Sequence, residues 1–149
     1  MLLGYVRDSD YARHVDEEYA PAESPNLAFI SVVSRGEMFS LAYQFGWGKR
    51  KRRSLQRILA DLPTLQIYDD ELIAQYAEVD AFSQGKLPDR PLPNGLSSRN
   101  MGKNDLWIAA TASVIEATLL TTDTDFDHLH DEYLQRIYID PKQSYPPDA

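Results

Sequence analysis

Apolar and polar positions along the chain have the periods of helices and of short buried strands. The longest apolar stretch, Leu106–Leu120, predicts a helix that is apolar on nearly every face and is followed by a strand over Thr118–Thr122. A helix of that kind is buried. Three further short apolar runs predict strands, the first of them buried on both faces. These runs are Leu27–Val33 (LAFISVV), Leu65–Tyr68 (LQIY) and Arg136–Asp140 (RIYID).

The spacing of apolar residues predicts helices in the first half of the chain. Met1–Tyr19 is mostly helical in pattern. Ser34 opens a second helix, because Ser34 and Glu37 have the spacing of a capping box, in which the serine caps the helix and the acid reaches back to the exposed amides. A third helix follows from the basic run Lys49–Arg53 and ends before Pro63.

Two more helices are predicted in the second half. Asp69 or Asp70 caps one that continues to about Phe82, and Asn104 is expected to cap the buried helix. The segment Gly85–Lys103 between them is predicted to be a long surface loop, and loops of that length tend to be functional.

Helices alternate with apolar strands, which predicts a three-layer α/β domain with a central parallel sheet. Residues 1–140 are expected to form this single domain and residues 141–149 a loose tail.

Hydrophobic residues make up 43% and charged residues 26% of the 149 positions, as in globular proteins. The chain has no cysteine, which excludes disulfides and cysteine zinc sites. It also has no apolar run of membrane-spanning length and no signal-type start, so we expect a soluble, cytoplasmic protein without a membrane partner.

Acidic residues lie where the predicted sheet would bring them together. Glu37 comes shortly after one strand, Asp123 and Asp125 follow another, and Asp105 heads the helix that leads into that second strand. Ligands of open α/β sheets bind beyond the carboxyl ends of the strands. Carboxylates held close together repel unless a cation joins them, and oxygen ligands without His or Cys suit Mg²⁺ or Mn²⁺. Taken singly, each acid also fits a structural role as a helix cap or turn former, so both interpretations stay open.

The charge of the chain is unevenly distributed. A net charge of −8 argues against broad, non-specific nucleic-acid binding. The basic run Lys49–Arg53, with Arg57 a turn further on, nevertheless forms a local positive patch. The run is interpreted either as a solvated helix start or as a contact for a phosphate backbone or an acidic partner. In the second case the candidate contact residues are Arg50, Arg52 and Arg53.

Three sequence motifs resemble one family. NDLWIAATA, which begins at Asn104, and LLTTDTDF, which begins at Leu119, closely resemble the PIN-domain nucleases and, within them, the VapC-like toxins of toxin–antitoxin modules. ISVVSRGEM, which begins at Ile30, resembles the family's second motif, and the resemblance spans the chain from Leu2 through Asp140. It implies a PIN-like fold and a ribonuclease that cleaves RNA internally with Mg²⁺ or Mn²⁺. It also implies an antitoxin partner whose C-terminal segment occupies the site, and a homodimer.

The resemblance assigns roles to individual residues. Glu37 matches the second acid of the family's site, Asp105 the third and Asp123 the fourth, which makes them the candidate catalytic and metal-binding residues. Asp125 stands where some members carry an additional acid and is a further candidate metal ligand. Two other positions are candidates for supporting the acids or facing the substrate: Asn104 and Thr121.

The chain departs from the family pattern at its start. The family's first acid follows a first strand, whereas Met1–Val6 matches the helix that comes after it. We therefore expect the first strand and its acid to lie upstream of Met1. In an alternative alignment Met1–Val6 is the strand and Asp8 is the acid. If the first acid is absent, the remaining three are expected to bind metal weakly, and the alternative function is a PIN-fold module that binds antitoxin or RNA without cutting. A third interpretation, a phosphate-accepting regulatory domain, needs a lysine near the last strand, and Lys142 matches that position poorly.

Overall fold

The computed structural model of the protein describes residues 1–23 and 27–146. The chain divides into two compact units. The first unit consists of Met1–Leu65 with Ile139–Ala149, and the second of Gln66–Tyr138. In the described residues each unit combines α-helices with one pair of parallel strands. The predicted α/β class with parallel strands is confirmed, and the described strands form two hydrogen-bonded pairs.

The first unit packs its helices around the pair β1–β2. Its elements are α1 (Leu2–Val6), α2 (Asp10–Tyr19), β1 (Ile30–Ser31), α3 (Val32–Gln44), α4 (Lys49–Ala60) and β2 (Thr64–Leu65). Ile30 pairs with Thr64, and its N–H donates to the carbonyl of Pro63 at 3.0 Å. The core is formed by one apolar cluster, to which each of these helices except α2 contributes: Val6, Ile30, Met38, Ala42, Trp47, Leu55 and Leu59.

The start of α3 differs from the prediction. Ser31 caps the helix, its hydroxyl accepting the N–H of Val33 at 3.2 Å, so the N-cap lies three positions before the predicted cap Ser34. The predicted strand Leu27–Val33 is therefore reduced to Ile30–Ser31. The β-branched valines at 32 and 33 favour a strand by propensity, but the serine cap places them in the first helical turn.

The alternative strand over Met1–Val6 is wrong, because Leu2–Val6 is helical. Asp8 lies in the turn that follows, with φ of 51°, and its carboxylate pairs with Arg13 at 3.2 Å. Asp8 is consequently a turn residue and does not follow a strand as the alternative acid would.

In the part of the predicted tail that is described, the Tyr145 ring stacks on His14 with centroids 4.3 Å apart. Residues 147–149 of that tail lie outside the described residues.

The second unit is built around a pair of packed helices and the strand pair β3–β4. Its elements are α5 (Asp70–Ser83), α6 (Lys103–Val114), β3 (Thr118–Thr121), a 3₁₀ helix (Thr124–Leu129) and β4 (Gln135–Tyr138). The strands pair from Thr118 with Gln135 to Thr121 with Tyr138. The buried core joins α5, α6 and the 3₁₀ helix: Val79, Phe82, Met101, Leu106, Ala109, Ala112, Phe126, Leu129 and Leu134.

Asp69 caps α5 as predicted, its carboxylate accepting the N–H of Leu72 at 2.8 Å. Asn104, by contrast, does not cap α6. The N-cap is Gly102, which has no side chain to accept a hydrogen bond, and Asn104 lies inside the first turn. No helix or strand is found between Ser83 and Lys103, which agrees with the predicted loop.

Contacts of Arg90 anchor this loop to its surroundings. The Arg90 guanidinium lies over the ring of Tyr133 at 4.0 Å, donates to the backbone carbonyl of Glu132, and forms an ion pair with Glu78 at 3.6 Å. Burial, and then the hydrogen bond that the Tyr133 hydroxyl donates to Glu78, raise the pKa of Tyr133 to about 12.

Within the described ranges, every helix is too short or too polar to cross a membrane.

Candidate functional site

The first turn of α6 holds Asp105 in a half-buried position. Its carboxylate folds back over the N-cap residue Gly102, such that a Cβ added to Gly102 would lie 2.8 Å from Oδ2. The exposed N–H groups of a helix start favour a negative charge there. The glycine therefore provides the space in which the Asp105 carboxylate lies, and a side chain at position 102 would displace that carboxylate.

The turn after β3 positions Asp123 and Asp125. The hydroxyl of Thr121, which is buried, accepts the N–H of Asp123 at 3.0 Å. Oδ1 of Asp123 in turn accepts the N–H of Asp125 at 2.9 Å and caps the 3₁₀ helix. Both acids are exposed to solvent. Thr121 and Asp123 thus fix the backbone that carries the acids, and one carboxylate oxygen of Asp123 is engaged in this turn.

Buried polar side chains lie behind this turn. Nε2 of His128 is 2.7 Å from the Ser83 hydroxyl, which lies 3.3 Å from the sulfur of Met101. Burial, and secondly the charge of Arg99, lower the pKa of His128 to about 4, so the imidazole is neutral near pH 7. The network links the end of α5, the residue before Gly102 and the 3₁₀ helix. It therefore connects the two segments that carry Asp105 and Asp123.

Arg99 adds a backbone link on the same side. Its N–H donates to the carbonyl of Ser83 at 2.7 Å, and its guanidinium lies 3.5 Å from the carbonyl of Asp125. Arg99, in the segment that leads into α6, is thereby linked both to the end of α5 and to the turn that carries Asp125.

The predicted acids are divided between the two units. Asp105, Asp123 and Asp125 belong to the second unit, as do Asn104, which is exposed, and Thr121. Glu37 lies half-buried on α3 in the first unit. Among the described residues no three His, Asp or Glu side chains come close enough together to hold a metal ion. The donor chemistry itself, carboxylate oxygens at two helix starts and a strand end, is of the type that Mg²⁺ and Mn²⁺ prefer.

The predicted basic residues lie on α4 and point to solvent. Arg50, Arg52 and Arg53 are exposed, and with the other basic residues of the helix they make no ion pair within residues 1–23 and 27–146. Lys49, Arg50, Arg53, Ser54 and Arg57 line a shallow concave surface of about 540 Å³. The basic residues of α4 therefore form a positively charged surface on the first unit, and such a surface can bind an anion.

Gly102, Ser83 and His128 are residues of the site region that the sequence did not single out. A glycine three positions before the acid of a buried helix is a detectable signal for Gly102, because it marks a place where a side chain would collide. Ser83 and His128 are far apart in the sequence and carry no spacing pattern. Only the packing of α5 on the 3₁₀ helix brings them together.

Comparison with known proteins gives one family match and two structural neighbours. The family model described as the PIN domain matches residues 1–132. The crystal structure of VapBC2 from Rickettsia felis, bound to a DNA fragment from their promoter, is similar with a TM-score of 0.66 and 22% identity, covering 93% of this chain and 93% of that chain. The structure of VapBC-1 from nontypeable Haemophilus influenzae has a TM-score of 0.56 and 22% identity, covering 87% of this chain and 84% of that chain. No curated protein matches the chain.

Proposed function

The chain belongs to the PIN-domain family, and from that premise we propose that it is a metal-dependent endoribonuclease, the toxin of a toxin–antitoxin module. The observation that carries the proposal is the hydrogen-bonded turn after β3, where Thr121 and Asp123 hold an exposed acid pair in the same unit as Asp105. Exposed acids with fixed backbones can bind a divalent cation, and such a cation can in turn bind a phosphodiester. The fold likeness to the two VapBC structures supports the toxin assignment.

Each acid has a role in this proposal. Asp105 and Asp123 are catalytic acids that, with Asp125, would hold Mg²⁺ or Mn²⁺, and Glu37 is the further catalytic and metal-binding acid that the family resemblance assigns. When bound, such an ion lowers the pKa of a water and offsets charge on the phosphate. Thr121 positions Asp123 through the backbone. Asn104, exposed next to Asp105, would face the RNA. Hydrolysis adds water across one phosphodiester, which breaks the P–O bond to the leaving ribose.

We test the assignment with Asp105→Asn, which removes the charge and leaves the volume almost unchanged. RNA cleavage should be abolished while the circular dichroism spectrum and the unfolding transition remain those of a folded chain. Asp127→Asn is the matched control, since Asp127 is an exposed acid of the 3₁₀ helix that pairs with Arg136 at 3.2 Å and has no proposed part in the chemistry. Undiminished cleavage by Asp105→Asn would overturn the proposed site.

A partner follows from the same proposal. We propose that a cognate antitoxin binds the chain, with a C-terminal segment that covers the acids and blocks cleavage, and that the chain forms a homodimer. Co-purification with the protein encoded beside it, and inhibition of cleavage by that protein, would support the first part. Light scattering at micromolar concentration tests the second.

A module that binds RNA or antitoxin without cutting is the second candidate function. It is favoured by one observation: no three metal-ligating side chains come together in the described part of the chain. The two candidates differ in cleavage, and the metal-addition experiment at the end of the Discussion separates them.

A further inference from the structure

Helix α3 exposes aromatic side chains to solvent. Tyr43 is 73% and Phe39 is 37% exposed, and their four-residue spacing places them on one face of the helix. Phe45, the residue at the C-cap, is 63% exposed. Aromatic rings are normally buried because each removes a large apolar area from water. A group of them left on the surface therefore marks a site of interaction.

Cations lie directly over the rings of this region. The Arg52 guanidinium is 5.1 Å from the centre of the Tyr43 ring, and its Nε–H donates to the carbonyl of Trp47 at 2.8 Å. Arg35 lies over Phe39 at 5.8 Å. The hydrogen bond to Trp47 fixes the orientation of Arg52 against Tyr43. The other N–H groups of Arg52 make no hydrogen bond or ion pair with any residue that the structure describes.

The start of α4 is electrostatically unfavourable by itself. A helix N-terminus favours negative charge, yet the first residues of α4 are Lys49, Arg50, Lys51, Arg52 and Arg53. Lys49 and Arg53 are four positions apart and repel each other, as do Arg53 and Arg57. Gly48, the N-cap, supplies no side-chain hydrogen bond. A polyanion bound along the start of α4 would reduce both unfavourable terms.

We propose that this aromatic–basic surface, made of Phe39 and Tyr43 with Arg35 and Arg52, binds unpaired bases of single-stranded RNA. Bases stack on the exposed aromatic rings, and the two arginines contact the phosphates between them. This inference rests on the proposed function, because it places part of that nuclease's RNA substrate on this surface.

Single-stranded RNA fits the surface better than a duplex. Only unpaired bases expose a face on which an aromatic ring can stack, and such stacking tolerates any base. The cations over the rings in turn favour a partner that carries negative charge. A polyanion with flat apolar bases meets both requirements.

The aromatic–basic surface lies on a different side of α3 from Glu37. Two helical positions separate Glu37 from Phe39, which places them roughly 160° apart around the axis. Loss of stacking should therefore weaken RNA binding and raise KM, while kcat stays near that of the wild type.

The test is binding of a fluorescein-labelled 12-nucleotide oligouridine in EDTA, where no cleavage takes place, measured by anisotropy. Tyr43→Ala should weaken binding roughly fivefold to a hundredfold, the range for one lost base stack. Tyr43→Phe keeps the ring and should bind as the wild type does. Tyr43→Leu keeps apolar area without an aromatic face and should bind as weakly as Tyr43→Ala. An abasic oligonucleotide of equal length should bind wild type and Tyr43→Ala equally.

Tyr68 provides the matched control. It is 77% exposed, and no cation lies over its ring among the described residues. Tyr68→Ala should leave the affinity unchanged. Equal binding by wild type and Tyr43→Ala, wild-type affinity in Tyr43→Leu, or no binding of oligouridine by the wild type would each overturn the inference.

The outcome is separable from that of the nuclease proposal. Binding is measured without metal, whereas the nuclease proposal depends on cleavage and on Asp105. If the wild type and Tyr43→Ala cleave RNA with equal KM, the nuclease proposal stands and only the proposed stacking surface is contradicted.

Discussion

The hydroxyl oxygen of Thr121 accepts a hydrogen bond of 3.0 Å from the backbone N–H of Asp123. Thr121→Val removes this bond and keeps the shape of the side chain. We expect RNA cleavage to fall roughly 10- to 100-fold, as is typical for a partner that orients a ligand. The free energy of unfolding should fall by about 0.5–1.5 kcal/mol, the net value of one hydrogen bond.

Thr121→Ser is the matched control for this prediction, because it retains the hydroxyl. It should preserve most of the cleavage rate. Cleavage by Thr121→Val at the wild-type rate would show that the bond does not position Asp123 for the reaction.

Gly102 gives a second prediction. An added Cβ would lie 2.8 Å from Oδ2 of Asp105, so Gly102→Ala must displace the carboxylate. The backbone at Gly102, with φ of −58° and ψ of 144°, suits alanine, and the fold should survive. A misplaced catalytic group costs on the order of 100-fold in rate. Single-turnover cleavage should show a loss of that size.

Gly48→Ala is a control for the stability of Gly102→Ala. Gly48 is also an N-cap glycine without a side-chain bond, has φ of −69° and ψ of 170°, and has open space at its Cβ position. The two variants should unfold at similar denaturant concentrations relative to the wild type. Full cleavage by Gly102→Ala would contradict the assigned position of the Asp105 carboxylate.

His128 makes stability depend on pH. Its pKa is about 4 in the folded chain, and an unperturbed histidine has a pKa of about 6.5. Between these values the unfolded chain binds more protons than the folded chain, so the free energy of unfolding decreases as the pH falls from about 6.5 toward about 4. Urea unfolding at several pH values should show this decrease. His128→Leu should weaken the dependence, and an identical dependence in both proteins would contradict the assignment.

The sequence predicts the buried helix α6 well, because its apolar residues leave no polar face for solvent. Its start was misjudged at Asn104, a residue type that often caps helices, although the backbone begins the helix after Gly102. The start of α3 was mispredicted for a similar reason, because two residues compete for the role of the N-cap. Ser31 and Ser34 both qualify as caps by type, and only the pairing of Ile30 with β2 decides which one ends the strand.

The positions of the candidate acids were predictable, since Asp105, Asp123 and Asp125 occupy the ends of strongly patterned elements, and their part in the chemistry stays a prediction. The contact of Ser83 with His128 was not predictable, because it is formed by packing between segments without a shared period. The aromatic–basic surface was half predictable. The basic run is visible in the sequence, whereas the exposure of Tyr43 depends on which face of α3 packs inward.

The arginines of α4 give a fourth prediction. Replacing Arg50, Arg52 and Arg53 with alanine should weaken RNA binding and flatten its salt dependence. For single strands the slope of log affinity against log salt concentration falls by roughly 0.7 for each lost phosphate contact, or about 2 for three contacts. Anisotropy titrations at several salt concentrations in EDTA measure the slope. Arg13→Ala, which removes an arginine paired with Asp8, should leave it unchanged. An unchanged slope in the triple variant would leave these arginines as a solvated face.

Restoration of RNA cleavage by metal tests the central claim most directly. The chelator-treated chain is incubated with RNA alone and then with added Mg²⁺ or Mn²⁺, in parallel with Glu37→Gln, Asp105→Asn and Asp123→Asn. The account predicts that metal restores cleavage to the wild-type chain and not to any of the variants. Cleavage that needs no metal, or no cleavage by the wild-type chain at any metal concentration, would contradict it. The second of these results would favour the module that binds without cutting.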